Sequence, residues 1–234
     1  RKPYIPGIPW YGCKRSGAPL VPTKLHRTRI KNHNGVKSVS DSIVITLSND
    51  EIQWCWDHAR AIVEKYDGHG SKGSGVYSHN KVGSNVVGVK GELATALWME
   101  NEFNKDVNYS QPLVLRHYEN ITPFNGLPGD VQIEYTGGTV SPPVEIKGLR
   151  RHQWDKFKRM IPPRQLKKYC RANAIVIWTV ADTKGLDQEK VILKGWNFAS
   201  EVEEFGIEYQ TICENIWLQE DDKMRPMNSL LTSI

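Results

Sequence analysis

The chain has 234 residues, 39% of them hydrophobic, with eight tryptophans and a formal net charge of +5. That size suits one domain with extensions, and the apolar content excludes a disordered polar chain. No apolar run approaches the roughly 18–20 residues of a membrane-spanning helix, so no membrane partner is expected.

The charge is unevenly distributed. Residues 1–40 hold nine of the 31 Lys/Arg and no Asp or Glu, which leaves 22 basic against 26 acidic side chains in residues 41–234. A basic arm on a mildly acidic body fits a phosphate-rich partner, because neutralised phosphates release counterions. Arg27 and Arg29 are candidate contacts of that arm; a merely solvated tail is the alternative. The arm is rich in Pro and Gly, so irregular backbone is expected, and Tyr4, Trp10 and Tyr11 either stack on bases or pin it to the body. Cys13, Cys55, Cys170 and Cys213 are far apart and form no CxxC pair. Free thiols in a reducing, intracellular compartment are expected, in a cell or in the cytoplasm of a virus-infected host. The first residue is not Met, so a processed organelle-targeting peptide stays open.

Ile43–Leu47 reads as a short strand. Ser48 followed by Glu51 is a capping box, and Ile52, Cys55, Ala59 and Val63 recur at helical spacing behind it. Residues 67–88 contain six glycines and four serines and read as a loop, a flap over a substrate groove. His69 and His79 lie in it without a third ligand at suitable spacing. A second helix is expected from Val89 to Phe103, with Glu92 in its first turn, where an acid complements the helix dipole.

Residues 112–118 form another strand candidate. Asp130–Tyr135 and Val144–Gly148 read as two strands of a hairpin through Gly137 and Gly138. Glu145 and Lys147 then share one face while Ile146 points inward. A bend bringing Asp130 beside Glu145 gathers two carboxylates and an ammonium, a cluster that suits Mg²⁺, with Mn²⁺ able to substitute. Glu134, four positions along the same strand face, is an alternative for the acidic role. The equipment is that of a metal-dependent phosphodiesterase. A surface salt-bridge cluster is the structural alternative.

After Gly148 comes a basic and aromatic run containing Arg150, Arg151, Trp154, Lys156 and Arg159. It suits a nucleic-acid track or a solvated surface. A helix from Arg164 to Ala172 places Gln165 and Tyr169 on one face. Ala174–Val180 is a buried central strand as the most strongly apolar run in the chain, Lys190–Trp196 a second strand, and Glu201–Phe205 a short helix. Residues 219–234 read as a polar tail or surface arm.

The order of Glu92, Gly129-Asp130, Glu145-Ile146-Lys147 and a Gln-Leu-x-x-Tyr helix at 165–169 resembles the PD-(D/E)xK superfamily of restriction-endonuclease-like nucleases. The Gln/Tyr motif resembles its RecB-like branch, and Gly129 stands where the family's leading Pro does. The resemblance covers roughly residues 50–200. It implies an α/β fold with an αβββαβ core, a mixed central sheet flanked by helices, within a domain at 41–218. It also implies that Asp130, Glu145 and Glu92 hold the metal. Lys147 would contact the attacking water or scissile phosphate, as a neutral base or a charged stabiliser, with Gln165 and Tyr169 supporting the site or approaching the substrate. DNA is the implied substrate. RNA, and a nucleic-acid-binding protein that keeps the fold without cutting, are the alternatives. A homodimer would fit cleavage of both strands.

Overall fold

The computed structural model describes residues 31–32, 42–66, 81–103, 130, 141–157, 159–210, 214–218 and 223–233. The expected strands at 112–118 and 131–135, the Gly137-Gly138 turn, Glu134, His69, His79, Arg27 and Arg29 lie outside these residues.

Strand β1 (Lys31–Asn32) pairs antiparallel with β2 (Ile43–Thr46), so the basic arm contributes a short piece of sheet. Helix α1 (Asn49–Tyr66) starts at the expected capping box: Ser48 N donates to Glu51 Oε2 at 2.7 Å and Glu51 N to Ser48 Oγ at 3.3 Å. Cys55 and Ala59 are fully buried along its inner stripe.

Helix α2 runs from Lys81 to Phe103, eight residues earlier than its apolar pattern suggests. The Gly- and Ser-rich stretch 81–88, expected as a loop, is helical. Glycine costs a helix about 1 kcal/mol relative to alanine, but small residues let α2 lie against the sheet. A Cβ on Gly91 would stand 2.4 Å from Thr179 Oγ1, and one on Gly148 would stand 2.7 Å from Val87 O. Val86, Val87 and Val89 are buried in the same contact.

The sheet is completed by β3 (Val144–Leu149), β5 (Ile175–Ala181) and β6 (Lys190–Phe198), in the order β1-β2-β6-β5-β3. Strand β5 runs parallel to β3 and antiparallel to β6, so the sheet is mixed. Every residue of β5 is buried, the property that marked it as central. Between β3 and β5 come α3 (Arg151–Phe157), β4 (Arg159–Ile161) and α4 (Pro163–Arg171). Pro163 opens α4, where a missing N–H has no intrahelical partner to lose.

Helices cover both faces of the sheet. Ile146, Ile175 and Ile177 pack with Cys55, Val87 and Leu97 of α1 and α2. On the other face Val176, Trp178 and Val180 pack with Trp154, Leu166, Tyr169 and Val202, the last from α5 (Ala199–Phe205). The protein is therefore an α/β fold with helices on both sides of a mixed sheet. Among the described residues no helix is long and apolar enough to cross a membrane, and Cys55 and Cys170 are free thiols.

Three features differ from the sequence reading. Strand β4 joins β7 (Ile207–Gln210) and β8 (Glu214–Leu218) in a second sheet, order β4-β8-β7. Trp154 and Arg159, read as part of an exposed run, are buried. Residues 223–233, expected as a polar tail, pack into the core. Met224, Met227 and Leu230 are buried at three-residue spacing, the last two on a 3₁₀ turn at Met227–Thr232. The segment is fastened by Trp196 N to Arg225 O and Arg225 N to Trp196 O, each 2.9 Å, and Arg225 bonds Glu201 through Nε at 2.9 Å.

Candidate active site

The alternation Val144-Glu145-Ile146-Lys147 sends Val144 and Ile146 into the α1/α2 side of the core. Glu145 and Lys147 therefore project to the opposite face, toward α4. Their side chains remain 12% and 21% exposed, which leaves the pair reachable from solvent. Leu166 anchors α4, and Gln165 and Tyr169, one turn apart, meet the pair.

Lys147 Nζ is the hub. It donates to Glu145 Oε1 at 2.6 Å, Gln165 Oε1 at 3.1 Å and Tyr169 Oη at 3.1 Å. Tyr169 Oη donates in turn to Glu145 Oε1 at 2.7 Å. Asp130 closes the open edge of β3: its N–H donates to Val144 O at 2.7 Å, and its Oδ2 accepts the N–H of Ile146 at 2.7 Å. Asp130 is thus bonded to the two residues of β3 that flank Glu145. Oε1 of Glu145 and Oδ2 of Asp130 are committed, whereas Glu145 Oε2 and Asp130 Oδ1 make no hydrogen bond among the described residues.

The electrostatics follow from this crowding. Burial raises the proton affinity of Asp130 well above the usual carboxylate range, and the charges of Glu145 and Glu92 add to the rise. Lys147 and the Ile146 N–H oppose it. For Lys147, burial is the largest single effect and works toward loss of the proton, but Glu145, Tyr169 and Asp130 together outweigh it and the net shift is upward. The direction of that shift favours the ammonium form. Burial, then Glu145, raises Tyr169, which stays a neutral phenol able to donate.

Glu92 lies on α2, on the other face of the sheet. It is half-buried, and its charge is felt at Asp130 and at Cys55. The close seat of α2 on Gly148 makes that possible, and the small-residue spacing at Gly88 and Gly91 was its only trace in the sequence.

The expected nucleic-acid contacts are placed less uniformly. Arg150 is half-buried at the start of α3, its N–H donating to Gln153 Oε1 at 3.1 Å. Arg151 is exposed but ion-paired, with Nε 3.5 Å from Asp182 Oδ2 and Nη2 3.8 Å from Asp187 Oδ2. Lys156 lies in α3, and its side chain is outside the described residues. Tyr169 is 5% exposed and so holds Glu145 and Lys147 rather than offering a ring for base stacking.

The acids of this region are hard oxygen donors. Asp130, Glu145 and Glu92 offer carboxylate oxygens, the ligands that Mg²⁺ and Mn²⁺ prefer. A dication also relieves the repulsion that raises Asp130. Among the described residues no three His, Cys, Asp or Glu side chains come together as a group that could hold a metal ion. Comparison with protein-family models, curated proteins and solved structures finds no match to this chain.

Proposed function

We propose that this protein is a divalent-metal-dependent nuclease with a restriction-endonuclease-like core, hydrolysing phosphodiester bonds in DNA. The observation that carries the reading is the convergence of Asp130, Glu145 and Lys147 at the edge of β3, with one oxygen on each carboxylate that makes no hydrogen bond among the described residues. The parallel β3–α4–β5 crossover, with Glu92 supplied by the helix on the opposite face, supports the fold assignment.

Asp130 and Glu145, joined by Glu92, would hold Mg²⁺, with Mn²⁺ able to substitute. When bound, the ion would supply Lewis-acid polarisation of the scissile phosphate. Lys147 brings a fixed positive charge to the negative charge that develops on the phosphoryl oxygens. Glu145, Gln165 and Tyr169 orient it from three sides, so it need not reorganise as the reaction proceeds. Gln165 and Tyr169 act through Lys147 and Glu145, as positioning residues.

The test is incubation with plasmid, single-stranded DNA and RNA in Mg²⁺, Mn²⁺ or EDTA. Degradation should require metal, vanish in Asp130→Asn, and fall at least about 100-fold in Lys147→Ala, with circular dichroism unchanged. Cleavage persisting in EDTA, or at the original rate in either variant, refutes the mechanism. Binding without metal-dependent cleavage identifies the non-catalytic module instead, and RNA cleaved in preference to DNA reassigns the substrate.

A further inference from the structure

Helix α4 has two working faces, and only one serves the cluster at Lys147. Gln165, Leu166 and Tyr169 face inward. Arg164, Lys167, Lys168 and Arg171 are all exposed, and their spacing of three and four residues puts them on one side of the helix. The stripe is about 10 Å long at 1.5 Å per residue. Helix α4 contains no Asp or Glu, and none of the four cations has an ion pair among the described residues. Arg151, Lys190 and Arg225, by contrast, each sit on a carboxylate. The neighbouring acid Glu203 approaches α4 from the Cys170 side, where burial first and then its charge raise the thiol.

Four like charges at these spacings repel one another, and a polyanion relieves that repulsion. A stripe about 10 Å long matches about three successive phosphates of one strand, spaced about 3.4 Å along a duplex axis. We infer that this face of α4 is the docking surface for the phosphate backbone of the nucleic acid whose cleavage site lies at Lys147. The inference takes its substrate class from the nuclease reading and adds the residues that seat the strand. Such contacts fix position without reading sequence. Strand placement and catalysis are then coupled through one rigid element, because the helix that grips the backbone also carries Gln165 and Tyr169.

The experiment measures fluorescence anisotropy of a labelled duplex and a labelled single strand, in EDTA, across a salt series. Wild type is compared with the triple variant Lys167→Gln/Lys168→Gln/Arg171→Gln. The charge-matched control is Arg60→Gln/Lys184→Gln/Lys190→Gln, at exposed positions elsewhere. The α4 variant should lose roughly 10²-fold in affinity near 0.1 M salt, and its log–log salt slope on duplex should shrink by about 2 to 3, at ~0.9 per phosphate. The control should lose much less. Equal losses in the two triples, or no binding by wild type, overturn the proposal. Loss confined to the α4 triple supports it, and does so even if a separate Mg²⁺ assay shows no cleavage, in which case the docking surface stands and the nuclease reading falls.

Discussion

Alanines placed on the two sides of the contact between α2 and β3 should have opposite effects. At Gly148 an added Cβ would meet Val87 O at 2.7 Å, Val87 C at 3.1 Å and Gly88 Cα at 3.2 Å. All three are backbone atoms in a helix, so no rotamer change relieves the clash and α2 must move off the sheet. Overpacking of this kind costs about 1–3 kcal/mol. At Gly88, across the same contact, a Cβ meets nothing within 4 Å, and alanine gains about 1 kcal/mol of helix propensity. For a chain of this size each kcal/mol moves Tm by about 2–4 °C. Gly148→Ala should therefore melt about 2–12 °C lower and Gly88→Ala about 2–4 °C higher, by differential scanning calorimetry. Gly148→Ala should also depress any metal-dependent cleavage, because displacing α2 carries Glu92 away from Asp130. A Gly148→Ala protein as stable as wild type would refute the close seating of α2, and with it the account of how the charge of Glu92 is felt at Asp130.

Tyr169→Phe removes the hydroxyl that bonds Glu145 at 2.7 Å. A hydrogen bond to a charged group contributes about 1.5–3 kcal/mol, so cleavage should drop by roughly ten- to a hundredfold, and an unchanged rate discards Tyr169 as a positioning residue. His58 is buried against Trp54, and burial lowers its pKa to about 4 from 6.5. The unfolded chain takes up the proton first as pH falls, so this contribution to stability is whole above pH 6.5 and declines toward pH 4. The loss is about 1.4 kcal/mol per pH unit and roughly 3 kcal/mol in all. Urea unfolding at pH 7.5 and 4.5 measures it, and the same decline in His58→Leu would clear His58 of responsibility. Met227→Ala, at a fully buried position, should cost about 2–5 kcal/mol; a free energy of unfolding within about 0.5 kcal/mol of wild type would return the C-terminal segment to the status of a tail.

What could be read from the sequence was local chemistry. Ser48 and Glu51 announce α1 because a capping box is made by neighbours in the chain, and Ile175–Ala181 announces a buried strand because every side chain but that of Thr179 is apolar. The pair Glu145 and Lys147, with Gln165 and Tyr169 a helix away, was legible for the same reason: residues two apart on a strand and four apart on a helix must meet. The start of α2 was not, since its Gly and Ser residues read locally as a loop and the packing against the sheet that keeps them helical exists only after folding. Nor was the packing of Met224, Met227 and Leu230, three apolar residues in a polar stretch whose partners, Gly195 and Trp196 among them, lie some thirty positions upstream. The basic run after Gly148 is not uniformly exposed, because Trp154 packs on the face of the sheet opposite α2 and Arg159 is buried as well, while four cations without an ion pair among the described residues fall on the helix that follows.

The bond between Lys147 and Glu145 has a consequence for handling the protein. An acidic centre that depended on a captured ion for neutrality would come apart on chelation. Here a resident cation, tethered to the chain two residues away, already balances the nearest carboxylate. The protein should therefore keep its shape through purification in EDTA, and any metal-dependent cleavage should return when the ion is added back.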